Sequence, residues 1–470
     1  MRRPRTPELL VLAGLVLLLA VAVLALFRGG GREAAPPPAP TTTAPPPPPP
    51  GLLATEPSVT PSTPSSAVLR FRTSVPAKAS VAYGIDGLPP TLWLGEGAAA
   101  TDHALELDGT VLTRQYRIEL QVAGGGQRAS RTLLLAPHAL ESAPHASVAN
   151  GAIVLDGRPF FPLMSWAQCA DQITKTLGMG INLFLADPCG GVAEQVATLQ
   201  GRALAAGLGD DTGSGAGVIG FAHPDEPDGL GLNARTLPKP EAAGEGRISF
   251  LTFTNHFFSG AAPLPQGRGI YPALAAKADV LGFDLYPLQE WCRPERITDV
   301  EAAQRELVTL ARGKPTFQWI EAATMKCHAA KDAVTPEVLR TETLLALIGG
   351  AHGIGFFPPE WDGNLDGTVT QLTRAIDAVS PALLQPAARA SATGGVHVGA
   401  RTYRGAVYVL AVNPTRTPVT TRIAVHGLDA RTLTVLDESR TVRASGGAFT
   451  EQLPPLGARL YVAPPSWAND

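Results

Sequence analysis

Val218-Ile219-Gly220-Phe221-Ala222-His223-Pro224-Asp225-Glu226-Pro227 is an apolar run of five residues that breaks abruptly into histidine, acids and prolines. A short unbroken apolar run bounded by turn residues marks a strand buried on both faces, as in a parallel sheet. The same design recurs on either side of it. Strands are expected at 160–164, 181–186, 202–206, 218–222, 248–254, 280–285, 316–320 and 353–357, eight in all. The third is weak and runs into a Gly-rich connection where a helix would normally follow. Helical periodicity is clearest at 299–311, 336–348 and 368–379. Eight strands alternating with helices over residues 148–386 fit a (β/α)8 TIM barrel, which typically needs about 250 residues. A doubly wound sheet fits less well. Gly215 to Gly220 has the GxGxxG spacing, but it precedes a strand where a phosphate loop must follow one.

The flanks are of other kinds. The chain has 470 residues, 44 of them Pro, with 17% charged residues and a formal net charge of −3. That near-neutral balance argues against a nucleic-acid binder. Residues 1–28 hold Arg2, Arg3 and Arg5, then nineteen apolar residues from Leu9 to Phe27, about a bilayer's thickness as a helix. This is an uncleaved anchor or a signal peptide. Either way the folded part is exported, membrane-anchored and extracytoplasmic in the first case and secreted in the second. Residues 29–66 are dominated by Pro, Thr, Ala and Ser and read as a semi-rigid linker. Residues 67–138 alternate as short strands at 67–73, 79–83 and 116–122, and 390–464 return to strands at 406–413, 420–425 and 458–462. The expected fold is therefore multidomain: a TIM barrel, abbreviated around its third strand, between two small all-β sandwiches.

Barrel active sites form at the C-terminal ends of the strands. Ser165-Trp166 follow the first strand, Asp187 the second, His223 to Asp228 the fourth and Asn255-His256 the fifth. Tyr286 follows the sixth, Glu321 the seventh and Glu360-Trp361 the eighth. Polar, acidic and aromatic residues thus recur at one end. Glu226 and Glu321 would lie across the mouth from each other. Hydrolysis of a glycoside needs such a pair, an acid for the leaving oxygen and a carboxylate for the anomeric carbon. Trp166, Tyr286, Trp319 and Trp361 suit the CH-rich faces of sugars, although tryptophans at a rim can also simply cap a core.

The barrel resembles the clan A glycoside hydrolases. Leu155-Asp156-Gly157-Arg158-Pro159-Phe160-Phe161 is similar to the hairpin before their first strand, Asp225-Glu226-Pro227 to their Asn-Glu-Pro motif, and Gln318-Trp319-Ile320-Glu321 to their seventh-strand motif. The resemblance implies a retaining double displacement, with Glu226 as acid/base, Glu321 as nucleophile, a carbohydrate or cell-envelope glycan as substrate and no cofactor. Trp166, Asp187, His223, Asp225, Asn255, His256, Tyr286, Trp319, Glu360 and Trp361 would surround the sugar. Asp225 stands where the family has Asn, and that departure keeps a non-catalytic glycan-binding barrel open as an alternative. Residues 67–138 resemble a fibronectin type III or immunoglobulin-like module, with Tyr116 at the place of its tyrosine corner.

A metal-dependent hydrolase is the further alternative. His223, Asp225, Glu226, Asp228 and His256 would be its ligands, but they form no closed set. Four cysteines allow three pairings by counting. On the barrel, Cys169 and Cys189 follow the first and second strands, and Cys292 and Cys327 the sixth and seventh. Neighbouring loops bring Cα atoms within bridging range, so Cys169–Cys189 and Cys292–Cys327 are the expected pairs. Non-reducing peptide mapping should recover both and find no free thiol.

Overall fold

The structure, a computed structural model, describes residues 51–238, 244–358, 360–361 and 363–469. The apolar run 9–27 and most of the proline-rich segment lie outside the described residues. Among the described residues no helix is long and apolar enough to cross a membrane.

The first β region begins earlier than residue 67. Ser58–Thr63 already pairs with the long strand Ser66–Ile85, and Leu53 bridges Thr73. Proline is tolerated there because this is an edge strand, which needs no donor on its outer side. The long strand changes partners along its length. Its first part pairs with Ala100–Asp108, its second with Leu92–Gly95 and Tyr116–Gly124, and the register slips between Arg72 and Ala77. Tyr116 is fully buried; its hydroxyl donates to the Gly109 carbonyl (2.8 Å) and accepts from the Val111 N–H (3.0 Å). That is the tyrosine-corner arrangement.

A three-stranded meander, Ala146–Ala149, Ala152–Leu155 and Arg158–Phe160, leads into the barrel. Its two turns are Asn150-Gly151 and Asp156-Gly157, and all four residues have positive φ. This is what a two-residue hairpin turn of the primed type demands. Ile153, Leu155 and Phe160 pack into the same cluster as the barrel interior and plug its lower end.

Eight parallel strands close the barrel: Leu163–Trp166, Leu183–Leu185, Leu204–Leu208, Val218–Ala222, Ile248–Phe253, Val280–Asp284, Thr316–Glu321 and Gly353–Phe357. The first pairs with the eighth, Leu163 opposite Ile354. The first strand lies a few residues later than the expected 160–164, because 158–160 belongs to the meander. Helices α1 (Ala170–Gly178), α2 (Gly191–Leu199), α3 (Tyr271–Ala275), α4 (Asp299–Ala311), α5 (Pro336–Gly349) and α6 (Gly363–Leu383) follow strands one, two, five, six, seven and eight. The link after the third strand contains Gly209, Gly213, Gly215 and Gly217, all with positive φ, a conformation that no helix accommodates. The C-terminal region forms a six-stranded and a three-stranded antiparallel sheet around a core of its own. It is tied to the barrel by Thr341 Oγ1 donating to the Leu456 carbonyl (2.8 Å), and to the first β region by Tyr408 Oη donating to the Thr91 carbonyl (2.7 Å).

The seventh strand sends Phe317 and Trp319 into the barrel, and both neighbouring strands answer with glycine. Gly282 is the register partner of Phe317, and Gly355 that of Trp319. A Cβ at Gly282 would stand 2.0 Å from the Phe317 ring, and one at Gly355 2.1 Å from the Trp319 ring. Gly355→Ala should therefore destabilise the protein by at least about 1–3 kcal/mol, the usual cost of overfilling a packed core. Urea denaturation compares it with wild type, and Gly97→Ala, where the added atom meets nothing within 4 Å, is the control.

Candidate active site

The mouth of the barrel is acidic. Glu226 leaves the fourth strand in a left-handed conformation, φ 45°, which a non-glycine residue adopts only when its surroundings compel it. Its carbonyl accepts the Leu230 N–H (3.1 Å), and the Pro227 carbonyl accepts that of Leu232 (2.8 Å), so the loop turns tightly on itself. Asp228 pins the loop down. It is fully buried, accepting from the Thr254 N–H (3.1 Å), the Thr254 hydroxyl (2.5 Å) and the Tyr271 hydroxyl (2.8 Å).

Burial is the main cause that lifts Glu226 to about 7, and Asp225, Asp228 and Glu290 add to it by repulsion. Asp225 is lifted to about 6, mainly by burial, although its side chain faces solvent. A carboxyl on which the charge of Glu226 acts is Asp284, the last residue of the sixth strand. Burial raises it well above the usual carboxylate range, and Glu226 is the strongest charge acting on it. Tyr286, two residues on and so on the same face, donates its phenol to Asp284 Oδ1 and stacks on Phe357 at 5.8 Å. Asn255 is buried and donates to Glu290 Oε2 (3.1 Å). His256 turns Nδ1 to the Ala262 carbonyl (2.7 Å) and lines a side cleft of 280 Å³ together with Asn255, Trp291 and Arg293.

Glu321, which closes the seventh strand, is enclosed. It has no exposed surface, and its two oxygens accept the Leu288 N–H (3.0 Å) and the Gln289 N–H (2.7 Å) in the loop after the sixth strand. Its electrostatic neighbour is Glu342 on α5, also buried. Two carboxyls so enclosed cannot both be charged. The backbone N–H groups favour the charge on Glu321, so Glu342 keeps the proton. Gln289 carries the brace onward, donating to the Cys327 carbonyl (3.2 Å) and the Asp332 carbonyl (2.6 Å) while accepting the Met325 N–H (2.7 Å). The Cys292–Cys327 disulfide joins the same two loops, and Cys169–Cys189 joins those after the first and second strands. These are the expected pairs.

Several aromatics also have structural assignments. Trp319 is 2% exposed and donates to Thr252 Oγ1 (3.1 Å) inside the barrel, so it is the floor of the mouth rather than a surface for a sugar. Trp166 stands edge-on above it at 5.7 Å and is half-buried. The half-buried Trp361 shares its indole N–H between Gln168 Oε1 (3.1 Å) and Thr176 Oγ1 (2.8 Å), which anchors it to α1. Asp187 accepts the Cys189 N–H (2.8 Å) and the Gly190 N–H (3.1 Å), shaping the turn into α2. His223 is buried edge-on against Phe221, and burial lowers its pKa. Glu360 is exposed on the rim. Of the proposed metal ligands, Asp228 is thus a strut and His256 is turned to a carbonyl. Among the described residues Cys169, Asp187 and Cys189 do bring three donor atoms within 4.8 Å, but the two sulfurs are bonded to each other.

Sequence reasoning missed Asp284, Glu290, Trp291 and Glu342. A signal for Asp284 did exist. An acid inside an apolar strand, two residues before a tyrosine, shares that tyrosine's face and must meet something polar there.

No family model matches the chain, and no curated protein matches it. Among solved structures it is similar to a GH30 endoxylanase from Clostridium papyrosolvens C71 (12% identical, covering 69% of this chain and 98% of that one, TM-score 0.44). It is also similar to a β-glucuronidase of Bacteroides uniformis (11% identical, 86% and 58%, TM-score 0.36) and to an Anoxybacillus α-amylase (10% identical, 65% and 98%, TM-score 0.36). The chain spans 58% of the length of the Bacteroides enzyme.

The buried carboxyls set a pH dependence of stability. Glu342 and Glu321 are both raised in the fold from the ordinary 4.5. The native state therefore holds more protons than the unfolded chain above that value, and stability falls as pH rises. The melting temperature should drop from pH 5 to pH 8, and Glu342→Gln should flatten the drop by removing one of the two titrating carboxyls.

Proposed function

We propose that the protein is a glycoside hydrolase in which Glu226 is the acid/base and Asp284, in place of Glu321, is the partner carboxylate. The observation that carries this reading is the pairing of Glu226 and Asp284 at the barrel mouth. Both carboxyls are lifted above the usual carboxylate range, chiefly by burial, and the charge of Glu226 adds to the rise at Asp284. The Tyr286 phenol favours the charged form of Asp284. No hydrogen bond from the described residues reaches the Glu226 carboxyl, and in this reading it is Glu226, with Asp225, Asp228 and Glu290 repelling its charge, that carries the proton. A proton donor and an ionised carboxylate are the two groups that glycosidic cleavage needs.

The Glu226 proton passes to the glycosidic oxygen as its bond to the anomeric carbon breaks. The Asp284 carboxylate attacks that carbon and forms a glycosyl ester. Glu226, now ionised, takes a proton from water, and the water oxygen displaces Asp284. The product keeps its configuration. Tyr286 and Glu290, which act electrostatically on this pair, would stand near the bound sugar. Glu321 braces the loop that follows the sixth strand. The two disulfides support an oxidising, extracytoplasmic location, and the run 9–27 supports a membrane tether.

Hydrolysis of an aryl-glycoside panel, followed by NMR of the released anomer, tests this. Glu226→Gln and Asp284→Asn should each lower kcat/KM by about a thousand-fold, within the range for lost acid–base groups. Glu321→Gln should lower the melting temperature more than it lowers kcat/KM. Because the acid works only when protonated, kcat/KM should fall as pH rises through about 7, where Glu226 ionises. Full activity in Asp284→Asn together with none in a stably folded Glu321→Gln would return the nucleophile to Glu321. Inversion of configuration would rule out the covalent step.

A further inference from the structure

The outer face of the first β region carries a groove of about 710 Å³, roofed at one end by Trp467 from the C-terminal segment. Its floor follows from strand register. Gly95, Ser80, Gln121 and Ser130 form one row across four strands, and Lys78, Ala123 and Arg128 form the next. Small residues in both rows leave the hollow. Trp467 is 40% exposed and lies over Gly95, where a Cβ would come within 3.6 Å of its ring.

The charges are one-sided. Lys78 and Arg128 are exposed, flank Ala123 on adjacent strands, and stand about 10 Å apart by two strand spacings. Neither makes an ion pair or side-chain hydrogen bond with the described residues, and neither does the Gln121 amide. Glu96, the acid in the wall, is already spent: it accepts the Ala79 N–H (2.9 Å) and pairs with His103 Nδ1 (2.9 Å). Glu119, two residues along the strand from Gln121, lies outside the wall. Two exposed cations without an acid between them leave this part of the groove positive.

From this we infer a second carbohydrate site, on the first β region and apart from the barrel mouth, that takes an acidic polysaccharide. The exposed indole offers a flat apolar face to the CH-rich side of a pyranose ring. Lys78 and Arg128 offer two cations at a spacing that spans neighbouring uronate carboxylates, with Arg128 able to bind one bidentately. Gln121, Ser80 and Ser130 supply the hydroxyl partners between them. Neutral glycans would lack the electrostatic half of this attraction, and an anionic lipid surface would leave the ring face unused.

The test is affinity electrophoresis and calorimetry of the full chain with polygalacturonate, using its methyl-esterified form as the uncharged match. Polygalacturonate should bind at least ten times more tightly than the ester, and added salt should weaken it. Trp467→Ala and the double variant Lys78→Ala/Arg128→Ala should each weaken binding about ten-fold, while Gln266→Ala, outside the groove, should not. All these side chains are exposed or outside the cores, and melting curves confirm that the variants fold. Glu226→Gln should bind as wild type does, which separates this site from catalysis at the mouth. Equal affinity for the acid and the ester, unchanged affinity in both groove variants, or binding to phosphatidylserine vesicles with none to polygalacturonate would overturn the inference.

Discussion

The interior of the barrel is organised around two large rings on one strand. Phe317 and Trp319 occupy successive inward positions of the seventh strand, and the barrel can close only because Gly282 and Gly355 offer no side chain at the facing positions. The rings then stack edge to face along the barrel axis, Phe250 to Phe317 at 6.4 Å, Phe317 to Trp319 at 5.5 Å and Trp319 to Trp166 at 5.7 Å. Such contacts favour one relative orientation over others, so the column has a definite top. That top is the floor on which the acidic residues stand. Trp319 is held to Thr252, and Glu226 and Asp284 are both desolvated.

Desolvated carboxyls destabilise a fold unless they are shared or hydrogen-bonded, and the two pairs in this barrel resolve that conflict in different ways. Glu321 and Glu342 are sealed in. Two backbone N–H groups take the charge of the one, and the other stays protonated. Glu226 and Asp284 are left with repulsion between them and a single phenol for relief. Strain of this kind persists only where the surroundings over-determine it, and the left-handed backbone at Glu226 points the same way. The sealed pair serves the open one, since the loop that Glu321 holds begins directly beyond Tyr286. Its loss would act on chemistry through geometry.

Much of the fold could be read from the chain because barrel strands are buried on both faces and stand out as unbroken apolar runs. The two turns of the meander were equally legible, since Asn-Gly and Asp-Gly demand one geometry. Helices α1 and α2 were not legible. Each has only nine residues, α2 starts and stops at glycine or a left-handed glutamine, and neither N-cap residue bonds the first turn with its side chain. The start of the first β region was hidden by prolines and threonines that look like linker but suit an edge strand. At the site, Glu226 was visible from its motif. Asp284 was not, because a residue that closes a strand was counted as part of its interior. Glu321 drew attention through its motif, and only the packing of α5 against the seventh strand shows that its carboxyl is enclosed.

The two members of the open pair are also held by different means. Asp284 is on a barrel strand, fixed by parallel pairing to Trp319 on one side, and moves only if the barrel does. Glu226 rides on a loop, and among the described residues no helix stands between the fourth and fifth strands. The work of a helix is done there by Asp228, whose three hydrogen bonds tie the loop to Thr254 and to Tyr271 at the head of α3. A buried strut whose oxygens are all hydrogen-bonded is costly to break and indifferent to small shifts of the apolar core. It therefore fixes the height of Glu226 above the Trp319 floor while leaving its backbone in a conformation that packing alone would not choose. The abbreviated side of the barrel is thus where Glu226 is carried, with polar bonds holding its loop in place.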